Sequence, residues 1–283
     1  TLLRKRLELS IQKKMKGSHM DKTKNDIFKR RRESKIIFFI LTALIYIIAS
    51  ITSGFENGLA FLSIPEGIFW LLKNFIPTQN SVKYLPVILK TAFGTVLLGV
   101  TATVISSLFA LIMSIIGSQT TGINSATKIT VKVIASFFRN MPLVAWSIIL
   151  LFSFKQSELT GLLALIFVTF GYLTRTFMET IDEVAKDVIE ALEATGASYF
   201  QIIFQGVIPS VSSQLVSWLL YFIENSVREV TLIGVLTGTG IGFVFNMHYR
   251  SFRYDVVGLI ILVVVSIVIF IELISNKIRK ELL

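Results

Sequence analysis

Long apolar runs constrain the fold of this chain more than any other feature of its sequence. About 20 apolar residues span a bilayer as an α-helix, and a helix satisfies its own backbone hydrogen bonds inside lipid. Hydrophobic residues make up 53% of the 283 residues and charged residues only 16%, a composition unlike that of a soluble domain. We predict an all-α integral membrane protein with six transmembrane helices. Their apolar cores lie near residues 36–51, 87–116, 143–154, 159–177, 211–233 and 256–274.

The two ends of the chain are basic. Residues 1–20 end in Gly-Ser-His-Met and resemble a leader left by expression cloning, so we expect the native sequence to begin at or just after Met20. Residues 21–35 then form a basic N-terminal segment before the membrane domain at 36–283. A cleavable signal peptide is the alternative, but no small-residue cleavage site follows the first apolar run. By the positive-inside rule, both termini are predicted to be cytoplasmic. The net charge of +10 is therefore assigned to solvated tails rather than to nucleic-acid binding.

The same topology places two long connections outside the cell membrane, at residues 53–85 and 236–252. Within the first connection, the apolar stretch Gly67–Phe75 is too short to span and is predicted to be an interfacial helix. Residues 155–158 form a short outer loop. The region from Gly234 to Tyr254 is rich in glycine, and a turn is predicted at Gly238–Gly242.

Ionisable residues occur inside the fifth apolar segment and just before the third. Glu224 and Arg228 are one helical turn apart and can pair, and Glu229 follows them. Charges within the membrane favour a functional role, although a structural ion pair near the outer end of the helix is the alternative. Arg139 precedes Pro142 and is predicted to lie at the inner interface or in the bundle interior. A snorkelling arginine before a proline kink explains it equally well.

The sequence lacks the elements of several chemistries. It contains no cysteine, and two histidines do not make a metal site. No G-x-x-x-x-G-K-[ST] motif occurs, so the chain is not expected to bind ATP through a P-loop. We predict no catalytic residue, no metal site and no cofactor in this chain.

The polar region 179–209 separates two apolar segments. It is predicted to contain a helix over Glu183–Thr195, a sharp turn at Gly196 and a short helix over Ala197–Gln205. Pro209 then stands at the start of the next helix, where proline is tolerated. Four residues are predicted to form an exposed apolar knob, namely Tyr199, Phe200, Ile203 and Phe204. Because exposed apolar surface outside the bilayer is costly, this knob needs a partner.

This region resembles the cytoplasmic "EAA" loop of ABC importer permeases, in which a glycine and a proline follow E-A-A at fixed spacing. Glu190 and Ala191 match the first two letters, Gly196 matches the glycine, and Pro209 matches the proline thirteen residues later. Leu192 replaces the second alanine, Gly206 replaces an isoleucine, and Ile208 replaces a leucine. An ordinary interhelical loop that fits by chance is the alternative. The resemblance implies a type I ABC importer permease fold whose coupling helix docks on a separate ATPase. The residues that it assigns to ATPase coupling are Glu190, Ala191, Gly196, Tyr199, Phe200, Phe204 and Pro209.

Within that family, the C-terminal third is most similar to phosphonate and phosphite uptake permeases. The resemblance rests on Glu190-Ala191-Leu192, Glu224 with Arg228, Gly240-Ile241-Gly242, and Phe252 with Tyr254 and Asp255. Thr237 and Thr239 stand where those permeases usually have glycine. Exposed N–H groups of a glycine-rich turn can form an anion nest, and an arginine can bind an oxyanion through two parallel hydrogen bonds. The predicted substrate pathway contains Glu224, Arg228, Gly238, Gly240 and Gly242.

The sequence thus predicts the permease subunit of an ATP-driven importer in a bacterial cytoplasmic membrane, with a small oxyanion such as phosphonate or phosphite as substrate. The resemblance implies two ATPase subunits that hold ATP and magnesium, a second permease copy that forms a homodimer, and an extracytoplasmic solute-binding protein. An ABC permease for another small solute remains an alternative. So does an ATP-independent secondary transporter or channel, although neither needs the aromatic loop. A structural scaffold would leave the intramembrane charges unexplained.

Overall fold

The computed structural model describes residues 31–282, so the predicted leader and residues 21–30 of the basic segment lie outside the described residues. The described residues form two compact units, which divide after Trp70. The described residues contain α1 (Arg31–Ser53), α2 (Asn57–Asn74), α3 (Gln79–Val82), α4 (Leu85–Gly117), α5 (Ser125–Asn140), α6 (Leu143–Phe154), α7 (Glu158–Val184), α8 (Lys186–Ala194), α9 (Tyr199–Gln201), a π-helical segment (Ile202–Val207), α10 (Ile208–Thr237), α11 (Gly240–Arg250) and α12 (Tyr254–Leu282).

The prediction of an all-helical, multi-span membrane protein is confirmed. Between residues 31 and 282, five helical stretches are long and apolar enough to cross a membrane: α1, α4, α7, α12 and the stretch from α9 through α10. A sixth crossing results when α5 and α6 are counted together, since they are separated by a short break and bent by 88°.

In the first unit, polar side chains fix the turn between α1 and the start of α2. Asn57 Nδ2 donates a hydrogen bond to Ser50 Oγ at 2.6 Å, and the Tyr46 hydroxyl donates to Asn57 Oδ1. The predicted interfacial helix at 67–75 is wrong in extent, because α2 begins ten residues earlier and continues through Pro65. A proline removes one backbone hydrogen bond, and apolar neighbours can keep the helical conformation on either side of it.

In the second unit, α7 is the central helix and packs against α4, α5, α6 and α10. Small residues permit these close contacts. A Cβ atom at Gly171 of α7 would lie 2.6 Å from the backbone nitrogen of Arg139 on α5, and one at Gly99 of α4 would lie 3.3 Å from the backbone nitrogen of Val227 on α10. A buried hydrogen bond of 2.8 Å, from Thr103 to Ser226, also links α4 to α10. A polar contact thus joins these two helices inside the bundle.

The third apolar segment forms α6, which is separated from α5 by a sharp break rather than joined to it in one kinked helix. Helix α5 ends at Asn140, and Pro142 is the N-cap of α6, with the two helix axes 88° apart. Proline disfavours the α conformation in the residue before it, which explains why the helix stops there. Arg139 is half-buried at the end of α5, and its two proposed roles remain predictions.

The region after α7 differs from the predicted boundaries. Helix α7 continues to Val184, seven residues past its predicted end. The short helix expected at Ala197–Gln205 is not separate, since helical structure runs from Tyr199 without interruption to Thr237. Its middle is π-helical, and Ile208 donates to the carbonyl of Ile203, five residues earlier. The wider π turn precedes Pro209, which has no N–H group and whose ring would crowd the carbonyl four residues back in an α-helix.

The glycine-rich region 234–254 is largely helical. Helix α10 ends only at Thr237, and α11 begins at Gly240. Gly238 and Gly240 have φ values of +69° and +62°, which glycine adopts without steric cost. The two glycines therefore make a short turn between two helices, and the turn predicted at Gly238–Gly242 is shorter than expected because α11 already begins at Gly240.

Candidate functional site

The turn after α8 is built around Gly196. Its N–H donates to Glu193 O at 3.0 Å, and the N–H of Ala197 donates to Leu192 O at 3.2 Å. These two bonds form a Schellman motif, which requires a left-handed residue after the helix. Gly196 has φ +78°, and an added Cβ would meet nothing within 4 Å. Its role is therefore conformational, and close packing, the other explanation for a glycine here, is excluded by the open space.

The segment that follows, residues 199–207, is called the docking segment below. Gln201 Oε1 accepts hydrogen bonds from the N–H and hydroxyl of Ser198, both at 2.8 Å, and so caps its start. Ile202, Ile203 and Val207 are buried against α7 and α8. The prediction that Ile203 belongs to the exposed knob is therefore wrong, because the helical turn directs this side chain into the core.

The opposite face of the docking segment is exposed and aromatic. Phe200 is 70% exposed and Phe204 is 64% exposed, and these residues lie one helical turn apart. Tyr199 is 39% exposed, and its ring contacts that of Phe200 with centroids 5.8 Å apart. Its hydroxyl donates to the carbonyl of Thr121 at 3.1 Å. Phe200 and Phe204 thus present apolar area on a segment whose other face is fixed in the core.

The remaining residues of the predicted coupling site lie on the same end of the bundle. Glu190, Ala191 and Pro209 are exposed, while Ile189, next to Glu190, is buried. Leu192 packs on Gly206, where an added Cβ would lie 2.5 Å from Leu192 Cδ1. Two of the three departures from the resembling motif, a larger residue at 192 and a smaller one at 206, are therefore in contact and compensate in size.

A charge cluster occupies the middle of α10. Glu224 is only 8% exposed and pairs with Arg228, one turn away. Arg279 of α12 approaches the same carboxylate, with Nη2 3.7 Å from Glu224 Oε2. Asn225 Nδ2 donates to Glu229 Oε1 at 2.9 Å. A buried carboxylate needs such partners, because an unpaired charge in an apolar interior is very costly.

The structure corrects the predicted surroundings of this pair. Glu224 lies sixteen residues after Ile208, the start of α10, so the pair is not near the outer end of the helix. Arg279 was assigned to the terminal tail, and no local pattern connects it with a glutamate 55 residues earlier. The side chain of Arg228 remains 46% exposed, so its guanidinium is accessible from outside the single chain.

The glycine turn, residues 238–242, is separate from the charge cluster. Ten residues divide Arg228 from Gly238, which corresponds to about 15 Å along the helix. The N–H groups of Gly238 and Thr239 both donate to Gly234 O, and the N–H of Ile241 donates to Thr95 Oγ1 at 3.0 Å. These three groups are therefore not free to form an anion nest.

Gly242 has a different role in the same turn. A Cβ atom there would lie 2.1 Å from the carbonyl oxygen of Thr231 and 2.8 Å from the backbone nitrogen of Val235. This glycine therefore lets α11 cross α10 at close range. Whether Gly238, Gly240 and Gly242 line a substrate pathway remains a prediction.

Comparison with known proteins decides the family. Residues 110–280 match the family described as "Binding-protein-dependent transport system inner membrane component". The chain belongs to this family. The match covers the docking segment, the charge cluster and the glycine turn. The permease is thus an inner-membrane component with several membrane-spanning helices.

Curated relatives include two proteins of Stutzerimonas stutzeri. The permease is 26% identical over 193 residues to "Phosphite transport system permease protein PtxC", covering 68% of this chain and 70% of the relative. It is 25% identical over 262 residues to "Putative phosphite transport system permease protein HtxC", covering 92% and 90%. "Phosphate-import permease protein PhnE" of Mycolicibacterium smegmatis is 25% identical, covering 68% of this chain and 36% of that protein.

Solved structures of importer permeases share the fold. One chain of the MetNI methionine ABC transporter, in an inward-facing form, aligns with a TM-score of 0.64 at 16% identity, covering 73% of this chain and 99% of that chain. A chain of an amino acid ABC transporter aligns with a TM-score of 0.59 at 16% identity, covering 73% and 99%. The prediction of an ABC importer permease fold is confirmed.

Proposed function

We propose that this permease is the membrane-spanning subunit of an ATP-driven importer for a small phosphorus oxyanion, with phosphite or a phosphonate as the substrate. In this proposal two copies of the chain enclose the pathway, each copy docks one ATPase, and a solute-binding protein delivers the anion from outside. ATP and magnesium belong to the ATPase, and the permease converts its motion into alternating access. Both termini, α8 and the docking segment lie in the cytoplasm.

The proposal of an ATPase partner rests on the two different faces of the docking segment. One face is buried against α7 and α8, which holds the segment in place. The other presents Phe200 and Phe204 to the surroundings. Large aromatic side chains on a fixed support are typical of interface hot spots, because they bury much area at a small entropic cost. A channel or a secondary transporter has no need for such a surface.

The pathway is proposed to run along one face of α10. Four polar or aromatic residues of that face are exposed at helical spacing, namely Gln214, Trp218, Tyr221 and Arg228. On α7, Tyr172 and Glu179 are exposed beside them, and the Tyr172 ring lies 6.1 Å from that of Phe222 on α10. Polar and charged groups within a membrane face a partner or water rather than lipid. We therefore assign this face to the space between two copies.

The substrate class rests on the phosphite and phosphate permeases among the relatives and on the exposed guanidinium of Arg228. A planar guanidinium suits a tetrahedral oxyanion, since it can donate two parallel hydrogen bonds. Glu224 pairs with this arginine and Arg279 also approaches Glu224, so these three side chains carry a net charge of +1 when ionised.

The test is reconstitution with the ATPase and binding protein of the same transport system. The complex in proteoliposomes should take up labelled phosphite when ATP is supplied, and unlabelled methylphosphonate should compete. Uptake without ATP would exclude the ATP-driven mechanism. ATP-dependent uptake of another solute, with no competition by either anion, would contradict the substrate class but retain the ABC permease.

A further inference from the structure

A short loop beside the docking segment is held by a carboxylate from the central helix. This loop, residues 118–124, joins α4 to α5. Asp182, near the end of α7, accepts three hydrogen bonds at Oδ1: from the Ser118 hydroxyl at 2.6 Å, the Thr120 N–H at 3.0 Å and the Thr120 hydroxyl at 3.1 Å. Hydrogen bonds to a charged acceptor are stronger than neutral ones. The first half of the loop is therefore fixed to α7.

The two neighbouring helices also bind the loop. The buried Thr121 donates its hydroxyl to Ile115 O of α4 at 2.6 Å. Lys128 of α5 donates its ammonium to Gln119 O at 2.6 Å. A Cβ added at Gly122 would lie 2.5 Å from Ser118 O, so the loop is also tightly folded on itself. It behaves as a compact unit rather than as a free connection.

The docking segment contacts this loop through one polar atom. The Tyr199 hydroxyl donates to the carbonyl of Thr121 at 3.1 Å, while its ring faces Phe200. The residues in these contacts are 62 to 78 positions apart in sequence, so sequence spacing gives no sign of them. Tyr199 thus has two roles: its ring belongs to the exposed aromatic face, and its hydroxyl reaches α4 and α5 through the loop.

We propose that Asp182 and the Tyr199 hydroxyl are positioning residues for coupling, which tie the docking segment to the 118–124 loop so that α4 and α5 follow its movement. The docking segment is already continuous with α10 through the backbone. The hydrogen bonds of these two residues, called the tether below, add a connection to α4 and α5, which the backbone of the docking segment does not reach. This inference rests on the proposed function, because it takes the docking segment to be the ATPase contact.

The test compares coupling in the reconstituted complex of permease, ATPase and binding protein. Tyr199→Phe removes one hydroxyl and keeps the ring, and Asp182→Asn removes the charge that fixes the loop. In both variants we expect the amount of phosphite imported per ATP hydrolysed to fall by about two- to thirtyfold. Asp182→Glu should restore part of the ratio. The double variant should be no worse than the poorer single one, because both act on the same connection.

Two control variants carry the same chemical changes elsewhere. Asp187→Asn alters an exposed carboxylate of α8, and Tyr249→Phe alters an exposed tyrosine of α11; both should keep the wild-type ratio. The tether is refuted if the Tyr199 and Asp182 variants form less complex or are thermally less stable but keep the wild-type ratio of phosphite imported per ATP. It is also refuted if their effects on this ratio are additive. Failure of the proposed function is distinct, since wild type itself would then show no ATP-dependent uptake.

Discussion

The contact between Leu192 and Gly206 yields a prediction whose size can be worked out from the structure. A Cβ atom at position 206 would lie 2.5 Å from Leu192 Cδ1 and 3.2 Å from Val188 Cγ1. Gly206→Ile therefore forces Leu192 out of its place. Overpacking of this kind costs about 1–3 kcal/mol. Leu192 is only half-buried, so Leu192→Ala should cost less than the roughly 2–5 kcal/mol lost at a fully buried leucine.

The double variant, Leu192→Ala with Gly206→Ile, restores the residue sizes of the resembling motif. The isoleucine can then occupy the space that the leucine leaves, so we expect the two changes to offset each other by about 1–2 kcal/mol. The measurement is the thermal unfolding midpoint in detergent, followed by tryptophan fluorescence, together with copurification of the ATPase. For a chain of this size, 1 kcal/mol corresponds to roughly 2–4 °C.

Gly94→Ile is the matched control for this experiment. Gly94 lies on the exposed surface of α4, and a Cβ atom there would meet nothing within 4 Å, so the same substitution should leave packing intact. The reasoning is refuted if Gly206→Ile alone is as stable as wild type. It also fails if the double variant loses as much stability as the two single variants combined.

Three other predictions follow from the same geometry. Gly196→Val forces a β-branched residue to φ +78° at a cost of about 1–2 kcal/mol, and Phe200→Ala removes an exposed aromatic side chain. Each variant should reduce the amount of ATPase that copurifies. Wild-type amounts in both variants would show that the docking segment is not the ATPase contact. Arg228→Lys keeps the charge but loses the planar fork, so phosphite uptake should fall while assembly is unchanged; uptake equal to wild type would exclude a two-point anion contact. The sequence has no cysteine, so Ser198→Cys reports topology directly; labelling by an impermeant maleimide from outside the cell would contradict a cytoplasmic docking segment.

The sequence was informative where a physical rule acts locally. Apolar length gave the number of spans, and the requirement for φ > 0 gave the turn at Gly196. The i,i+4 rule gave the pair formed by Glu224 and Arg228. Contacts between distant segments left no such trace. Neither the approach of Arg279 to Glu224 nor the hydrogen bond from Tyr199 to Thr121 follows from any spacing, because each depends on how whole helices pack.

Errors in predicted boundaries had specific causes. A helix was predicted to begin only at Gly67, after Pro65, and the fifth span to end at residue 233, before Gly234, yet Pro65 and Gly234 both lie inside helices. In a membrane bundle, the backbone has few alternatives to helix for satisfying its polar groups, so the usual breaking residues are tolerated more often. Gly234 has a packing role instead, since an added Cβ would lie 2.5 Å from Thr239 O.

The continuity of the docking segment with α10 affects how movement at one end of the permease reaches its middle. Between Tyr199 and Thr237 the backbone is helical throughout, and within that stretch only Ile202–Val207 departs from α geometry. Had a loop separated the two, as predicted, a displaced Phe204 could move without changing the orientation of Arg228. A helix instead transmits displacement along its axis, so tilting the docking segment must either tilt α10 or change the winding of the π turn. Because Ile202, Ile203 and Val207 anchor that turn in the core, α7 and α8 are drawn into any such change. The charge cluster, whose Glu224 lies about 24 Å along α10 from Ile208, is therefore mechanically connected to the docking segment by structure that the family motif alone does not contain.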